Sequence, residues 1–274
     1  MEDSPHPTNG GVIFFHKIFW GGEFFMILEG PVGLYLKNLI DDLLDEIGNN
    51  VDGKRALDLG CGYGYYTVDL LQRGYEVDAV DISEHSIQMT QKEVEKMENH
   101  QRVKIHNINA LKFKPKKKYD LIICFEMLEH LHKDLKLLKL INSWLKDDGV
   151  LLIIVPHNEK LWNIRDEQAG HLRRYSKDEI KDKLKKANLK PTKILCYGFP
   201  FIRLLLGIYL KIEEMRLNRA KKEGEKGLSQ NRPTLLSRMK RTSAPILKNL
   251  FKFDNLFINS DRGFGLVIMA KKIS

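Results

Sequence analysis

The sequence predicts an α/β fold with a doubly wound, mostly parallel sheet of seven strands and a helical insertion before the last strand. Three observations predict it. Short apolar runs alternate along the chain with segments of helical period, the signature of strand–helix units. A glycine cluster joins the first run to the first helix after it, and a carboxylate stands at the tip of the second run. At 274 residues and 43% hydrophobic content, the chain can fill one such domain and an appendage.

The central stretch is Ala56 to Ser83, ALDLGCGYGYYTVDLLQRGYEVDAVDIS. Ala56 to Leu59 reads as a buried strand, and Gly60, Gly62 and Gly64 follow it. Glycines at this spacing let the backbone turn sharply and approach a ligand with no Cβ in the way. Tyr65 to Arg73 reads as a helix stopped by Gly74, and Tyr75 to Val80 as the next strand, ending at Asp81. A carboxylate there can accept hydrogen bonds from ribose hydroxyls. The third glycine comes one position earlier than in G-x-G-x-x-G, which favours a nucleoside without a pyrophosphate over a dinucleotide.

Upstream, Val12 to Phe25 is strongly aromatic and broken by Gly21-Gly22, and Gly30-Pro31 opens a helix from Val32 to Ile47. Downstream, Ser83 can cap a helix reaching Lys96, with Glu84 in its first turn. Val103 to His106, Tyr119 to Cys124, Val150 to Val155 and Ile194 to Tyr197 are the next four strands, and Gly263 to Ala270 is a last one. Helices are expected from Leu135 to Leu145 and, behind a Ser176-x-x-Glu179 capping box, as far as Ala187. Cys61, Cys124 and Cys196 show no metal-binding spacing and read as reduced, buried thiols.

On these residues, D-x-G-x-G-x-G from Asp58 above all, the chain resembles the class I S-adenosylmethionine (SAM)-dependent methyltransferases over Ala56 to Ala187 and the last strand. Its Glu126-Met127-Leu128-Glu129-His130 run matches the ubiquinone-pathway O-methyltransferases residue for residue. The resemblance implies a Rossmann-like methyltransferase fold, whose last strand runs antiparallel and pairs near the sixth, and SAM as cofactor. It places Asp58, Gly60, Gly62, Gly64, Asp81, Ile82, Asn109, Ala110, Phe125 and Glu126 at the cofactor. Where the family has an acid for the adenine amine, this chain has Asn109, whose amide carbonyl accepts without a charge. Relatives fold an N-terminal segment over the cofactor, which makes His16 and Trp20 lid residues in expectation.

Methyl transfer needs an acceptor held in line with the methyl group and, at oxygen, removal of a proton. His130, His157 and His171 are the candidate bases, with His16 behind them. Arg173, Arg174 and Tyr175 either grip an acidic or phosphorylated acceptor, together with Trp20, or form salt bridges that hold the roof of the pocket shut. Glu126, Glu129 and His130 carry a second reading as ligands of a divalent cation, with His157 or His171 closing the site. That reading goes with the ubiquinone-pathway enzymes and with small-RNA 3′-end 2′-O-methyltransferases.

The formal net charge is +9, but residues 201–274 alone hold about +10, so the cofactor half is near neutral. Four parts are expected: 1–50, a lid and helix; 51–197, the SAM-binding core; 198–261, a basic apolar helical insertion; and 262–274, the last strand. Within the insertion, residues 201–210 and 244–258 are apolar runs with interspersed Lys and Arg, and 222–232 is a polar linker. Neither run reaches the ~18 residues that cross a bilayer, but both fit helices lying in an anionic lipid interface. The alternatives are a helical cap on the acceptor side or a dimer interface. Met1 to Gly10 is acidic and polar, unlike a secretory signal, so a cytoplasmic location is expected, peripheral on the inner face of a membrane. The sequence thus points to transfer of a methyl group to a small or lipid-like acceptor at oxygen. Its rivals are methylation of RNA 2′-hydroxyls and a non-catalytic scaffold or partner subunit.

Overall fold

The computed structural model describes residues 31–48, 51–222 and 249–273. The expected lid residues His16 and Trp20, most of the polar linker and the start of the second apolar run lie outside the described residues.

Helix α1 (Pro31–Ile47) leads into β1 (Arg55–Leu59), α2 (Tyr65–Arg73), β2 (Glu76–Asp81), α3 (Glu84–Val94) and β3 (Val103–Asn107). Then come β4 (Tyr119–Phe125), α4 (Asp134–Trp144), β5 (Leu145–Pro156), α5 (Ile164–Ala169), α6 (Lys177–Lys186) and β6 (Leu189–Tyr197). The insertion holds α7 (Phe201–Lys222) and a 3-10 segment (Lys252–Phe257), and β7 (Gly265–Lys272) follows.

The strands form one seven-stranded sheet in the order β3-β2-β1-β4-β5-β7-β6. All neighbours are parallel except β7, which runs antiparallel between β5 and β6. The order reverses beside β1, so the carboxyl ends of β1 and β4 flank the crevice where ligands bind in such sheets. The central strands are apolar on both faces because both are covered. Leu137, Leu138 and Ile141 of α4 and Ile180 and Leu184 of α6 pack on one face. Tyr35 and Ile40 of α1, Leu70 and Leu71 of α2, Ile202 of α7 and Phe251 pack on the other.

Local chemistry sets the boundaries. Gly74 ends α2 in the left-handed region at φ 103°, and the Ser83 hydroxyl accepts from Ser86 N at the start of α3. Strand β5 begins at Leu145, ahead of the expected Val150. Its pairing with β4 jumps from Tyr119↔Leu145 to Leu121↔Val150, so the Asp147-Asp148-Gly149 turn is a bulge in the ladder. Gly149 is needed there, since a Cβ would lie 2.9 Å from the Tyr119 carbonyl oxygen.

The second apolar run is part core and part surface. Phe251 is buried with its ring edge-on to Tyr35, and the Asp254 carboxylate caps α7 by accepting from Phe201 N and Ile202 N at 2.9 and 3.1 Å. Phe253, Leu256 and Phe257 are exposed. Cys61, Cys124 and Cys196 are buried and unbridged.

Candidate active site

At the end of β1 the backbone itself makes the site. Gly60, Gly62 and Gly64 sit at φ 77°, 53° and 81°, values that favour glycine. A Cβ on Gly64 would come 2.8 Å from Thr90 Cγ2, and one on Gly60 would press on the Met127 side chain. Thr90 also donates its hydroxyl to the Gly62 carbonyl at 2.8 Å, so α3 clamps the turn. Gly62 N donates to Asp81 Oδ2 at 3.0 Å, and Ser83 N donates to Oδ1 at 2.8 Å. These bonds fix the carboxylate at the strand tip, and each carboxylate oxygen can accept more than one hydrogen bond. Asp58 is buried and accepts from the Thr67 hydroxyl at 2.6 Å. Burial, opposed by that bond and reinforced by Asp81, pushes its carboxyl up to about 7.

Around the turn, Ile82 is 57% exposed, an apolar side chain beside a polar crevice. Asn109 caps a short 3-10 turn, its carbonyl accepting from Leu111 N at 2.9 Å, and Ala110 is buried behind it. Phe125 ends β4 with its ring edge-on to Tyr66, centroids 4.8 Å apart. Glu126 follows with φ 48°, a left-handed value rare outside glycine, held by its N–H on the Ile154 carbonyl.

Past Glu126 the site is built from side chains. Glu129 is fully buried, and among the described residues neither of its carboxylate oxygens has a hydrogen-bond donor. Burial first, and then the neighbouring Glu126, hold its carboxyl well above the usual range. His171 Nε2 lies 3.9 Å from Glu129 Oε1, while His171 Nδ1 sits 2.8 Å from Asp166 Oδ1. The His130 ring stands edge-on to His171, centroids 4.9 Å apart. One ligand atom from each of Glu129, His130 and His171 falls within 4.8 Å of the others. Glu126 joins by its proximity to Glu129, its own carboxyl raised by burial.

The remaining predicted residues are tied into the frame. His157 is buried, with Nδ1 2.8 Å from the Tyr175 carbonyl and Nε2 3.2 Å from the Asp261 carbonyl, so both ring nitrogens face backbone. Arg174 donates to Asp166 at 2.9 Å and to the His157 carbonyl at 3.1 Å, and lies over the Phe264 ring. Arg173 donates to Asp134 at 3.1 Å, and the Tyr175 hydroxyl lies 2.8 Å from the same carboxylate. Arg173 and Arg174 thus form ion pairs, and Tyr175 hydrogen bonds, within the segment expected to roof the pocket.

Asp166 and Asp134 anchor that roof, and sequence reasoning missed both. Burial acts to raise Asp166, but the hydrogen bonds from His171 and Arg174 outweigh it and hold the carboxylate below its ordinary value. Asp134 is held low in the same way by Lys183 and Tyr175. The Asn163-x-x-Asp166 spacing was a legible signal: the two side chains form a capping box at the start of α5. Tyr66 and Tyr197 were missed as well. Tyr197 is buried, and Glu126, Tyr66 and Glu129 all lie near enough to raise its hydroxyl, after burial itself.

A family model described as a methyltransferase domain matches residues 33–194. The ubiquinone biosynthesis O-methyltransferase of Leptothrix cholodnii is 30% identical over 121 residues, 43% of this chain and 51% of that protein. The malonyl-[acyl-carrier protein] O-methyltransferase of Halalkalibacterium halodurans is 31% identical over 129 residues, 45% of this chain and 48% of that one. The chain thus spans about half the length of the curated relatives it matches. Among solved structures, Haemonchus contortus phosphoethanolamine N-methyltransferase 2, in complex with phosphomonomethylethanolamine and S-adenosylhomocysteine, aligns with a TM-score of 0.61 at 18% identity, over 99% of this chain and 62% of that one. An O-methyltransferase domain of a Brevibacillus brevis polyketide multienzyme, bound to S-adenosylhomocysteine, aligns with a TM-score of 0.55 at 17% identity, over 80% of this chain and 66% of that one. The family match takes in the glycine turn, the Asp81 carboxylate and the buried acidic cluster alike, and the chain belongs to the methyltransferase-domain family.

Proposed function

We propose that this protein transfers a methyl group from SAM to an oxygen of a small or lipid-like acceptor at a membrane surface. The observation that carries the reading is the juxtaposition of a side-chain-free glycine turn with a fully buried carboxylate, Glu129, that has no hydrogen-bond donor among the described residues and faces His171 at 3.9 Å. When bound, SAM supplies an electrophilic methyl on a sulfonium. The Gly60–Gly64 turn gives its amino-acid end a close approach to backbone, and Asp58 offers that end a carboxylate. Asp81 takes the ribose hydroxyls, Ile82 covers the adenine face, and Asn109 and Ala110 line its edge. Phe125 and Glu126 close the crevice towards the acceptor.

A neutral hydroxyl acceptor needs a group that takes its proton as the oxygen is alkylated. His171 is oriented by Asp166 through Nδ1, which leaves Nε2 directed at the acidic cluster. His130 stands beside it. Burial raises the Glu129 carboxyl, which makes its ionised form a stronger base for that proton. The donor set also fits a divalent cation: one carboxylate and two imidazoles within one coordination shell, with His171 oriented through its other nitrogen. A cation there would be held by Glu129, His130 and His171 and would lower the acceptor hydroxyl's pKa. The O-methyltransferase relatives support oxygen as the acceptor atom. The concentration of aliphatic, aromatic and basic side chains in 201–258 supports a lipid-like acceptor over RNA, whose recognition uses exposed stacking platforms along a basic groove.

Calorimetry with SAM, followed by incubation with labelled SAM and a lipid extract, tests the reading. The expected result is saturable binding and label in an organic-soluble product, lost in Glu129→Ala with SAM binding retained. Label transferred to RNA alone would overturn the acceptor class, and absence of SAM binding would overturn the whole proposal. Chelation that abolishes transfer, with recovery on adding magnesium, selects the cation-assisted form.

A further inference from the structure

We propose that the outer face of α7 and the 3-10 segment Lys252–Phe257 form a docking surface for an anionic lipid bilayer. The inference deepens the membrane-surface part of the proposed function and rests on that reading.

Helix α7 is apolar on two sides. Ile202 is buried and Leu205 packs with it against the sheet, as a surface helix requires. Yet Leu204, Ile208 and Met215, spaced to share the opposite face, are each more than half exposed, and Lys211 stands among them. The 3-10 segment adds Phe253, Leu256 and Phe257, with Leu256 at 78% exposure. Ring contacts join the 3-10 segment to this stretch: the Phe201 ring of α7 lies 6.5 Å from that of Phe253, and the Phe199 ring, just ahead of the helix, 5.5 Å from that of Phe257. Contiguous apolar patches of this kind are rare on monomeric soluble proteins and mark contact with a partner or a membrane.

Charge identifies the occupant. Arg203, Lys211, Lys252 and Arg262 surround the patch, and among the described residues Lys211, Lys252 and Arg262 form no ion pair. Apolar side chains ringed by unneutralised cations complement hydrocarbon beneath a layer of phosphates. No described helix is long and apolar enough to cross a membrane.

The surface is also fastened to the site. Strand β6 runs parallel to β5 and ends at Tyr197, beside Glu126 and Glu129, and the chain turns there into α7. Residues 258–264 return from the 3-10 segment and are pinned to the same rim. Cys196 N donates to the Ile258 carbonyl at 2.7 Å, Lys177 Nζ to the Asn259 and Ser260 carbonyls, and His157 N to the Phe264 carbonyl. A bilayer seated on this face would meet the acceptor end of the cleft.

Sedimentation of the full chain with phosphatidylcholine vesicles, with and without phosphatidylglycerol, tests the proposal. The expected result is partition onto the anionic vesicles, weakened by salt, and little onto phosphatidylcholine alone. Leu204→Ser with Leu256→Ser, and separately Lys211→Glu with Lys252→Glu, should each lower partition about tenfold or more. Equal partition of wild type and variants, or no partition onto either vesicle, overturns the proposal. So does a two-chain mass by light scattering that Leu256→Ser reduces to one, which would assign the face to a second copy. Calorimetry on the same preparations separates the two claims: failed docking with intact SAM binding leaves the methyltransferase reading standing.

Discussion

The two walls that the proposed function assigns to the cleft, one for the cofactor and one for the acceptor, are made of different materials. The cofactor wall is backbone: three glycines with positive φ, a strand tip and amide groups that fix Asp81. The acceptor wall is a lattice of buried charges. Asp166 ties His171 to Arg174, Asp134 ties Arg173 and Lys183 to Tyr175, and Glu129 lies 3.9 Å from His171. A backbone site is shaped before any ligand arrives. A side-chain lattice gains its shape only from mutual pairing, and each member left alone in a buried setting is costly. Lesions in the second wall should therefore reach the whole roof, while lesions in the first should stay local.

The sharpest break between the walls is Asp166→Ala. It removes the partner of Arg174, whose guanidinium is almost wholly buried, and the orienting bond of His171. Breaking such a pair costs about 3–5 kcal/mol, because the surviving charge stays buried without compensation. Urea unfolding should show that loss, and methyl transfer should fall with it. A loss below about 1 kcal/mol would mean that the roof is held by packing rather than by ion pairs.

On the cofactor wall, Gly64→Ala should cost about 1–3 kcal/mol through a strained φ of 81° and the contact with Thr90 Cγ2. The same strain should appear as weaker SAM binding by calorimetry, with the roof unaffected. Adding Thr90→Ser removes the clashing methyl but keeps the hydroxyl that holds the Gly62 carbonyl. The double variant should recover part of the affinity, and failure to recover any would assign the effect to φ and to the remaining 3.1 Å contacts with the Cα and hydroxyl of residue 90.

The contrast also explains what could be read from the sequence. The cofactor wall was legible because its determinants lie within Ala56 to Ser83 and obey local spacing rules. The sheet was legible because each strand is a run of apolar residues between breakers. The resemblance foresaw an antiparallel last strand beside the sixth, as β7 lies beside β6, but its insertion against β5 needed pairings across more than a hundred residues. The acceptor wall was legible only as a list of chemistry. Nothing local in Gly170 to Tyr175 tells that Arg173 turns to Asp134 while the adjacent Arg174 turns to Asp166. His157 followed a strand as a base would, and its two nitrogens meet carbonyls contributed by residues 175 and 261. The expected interfacial helix at 244–258 likewise divided, because Asp254 was needed to cap α7 and Phe251 to fill the core.

The smallest predicted effect lies where the cofactor wall does contain a buried charge, at Asp58. With its carboxyl near 7 against an ordinary 3.8, the folded, ligand-free protein binds a proton that the unfolded chain has released. Stability of that form should therefore decline as pH rises from about 4 to about 7 and level off above, the opposite of a salt-bridged aspartate. SAM carries a positive charge to this wall and favours the ionised carboxylate, so binding should release a proton at pH 6. The dissociation constant should rise about tenfold between pH 8 and pH 6, one pKa unit corresponding to ~1.4 kcal/mol. Asp58→Asn should flatten both profiles, while Asp166→Ala should leave the SAM profile in place. An unchanged binding profile in Asp58→Asn would move the titrating group elsewhere, and would mean that this wall reads its ligand through backbone alone.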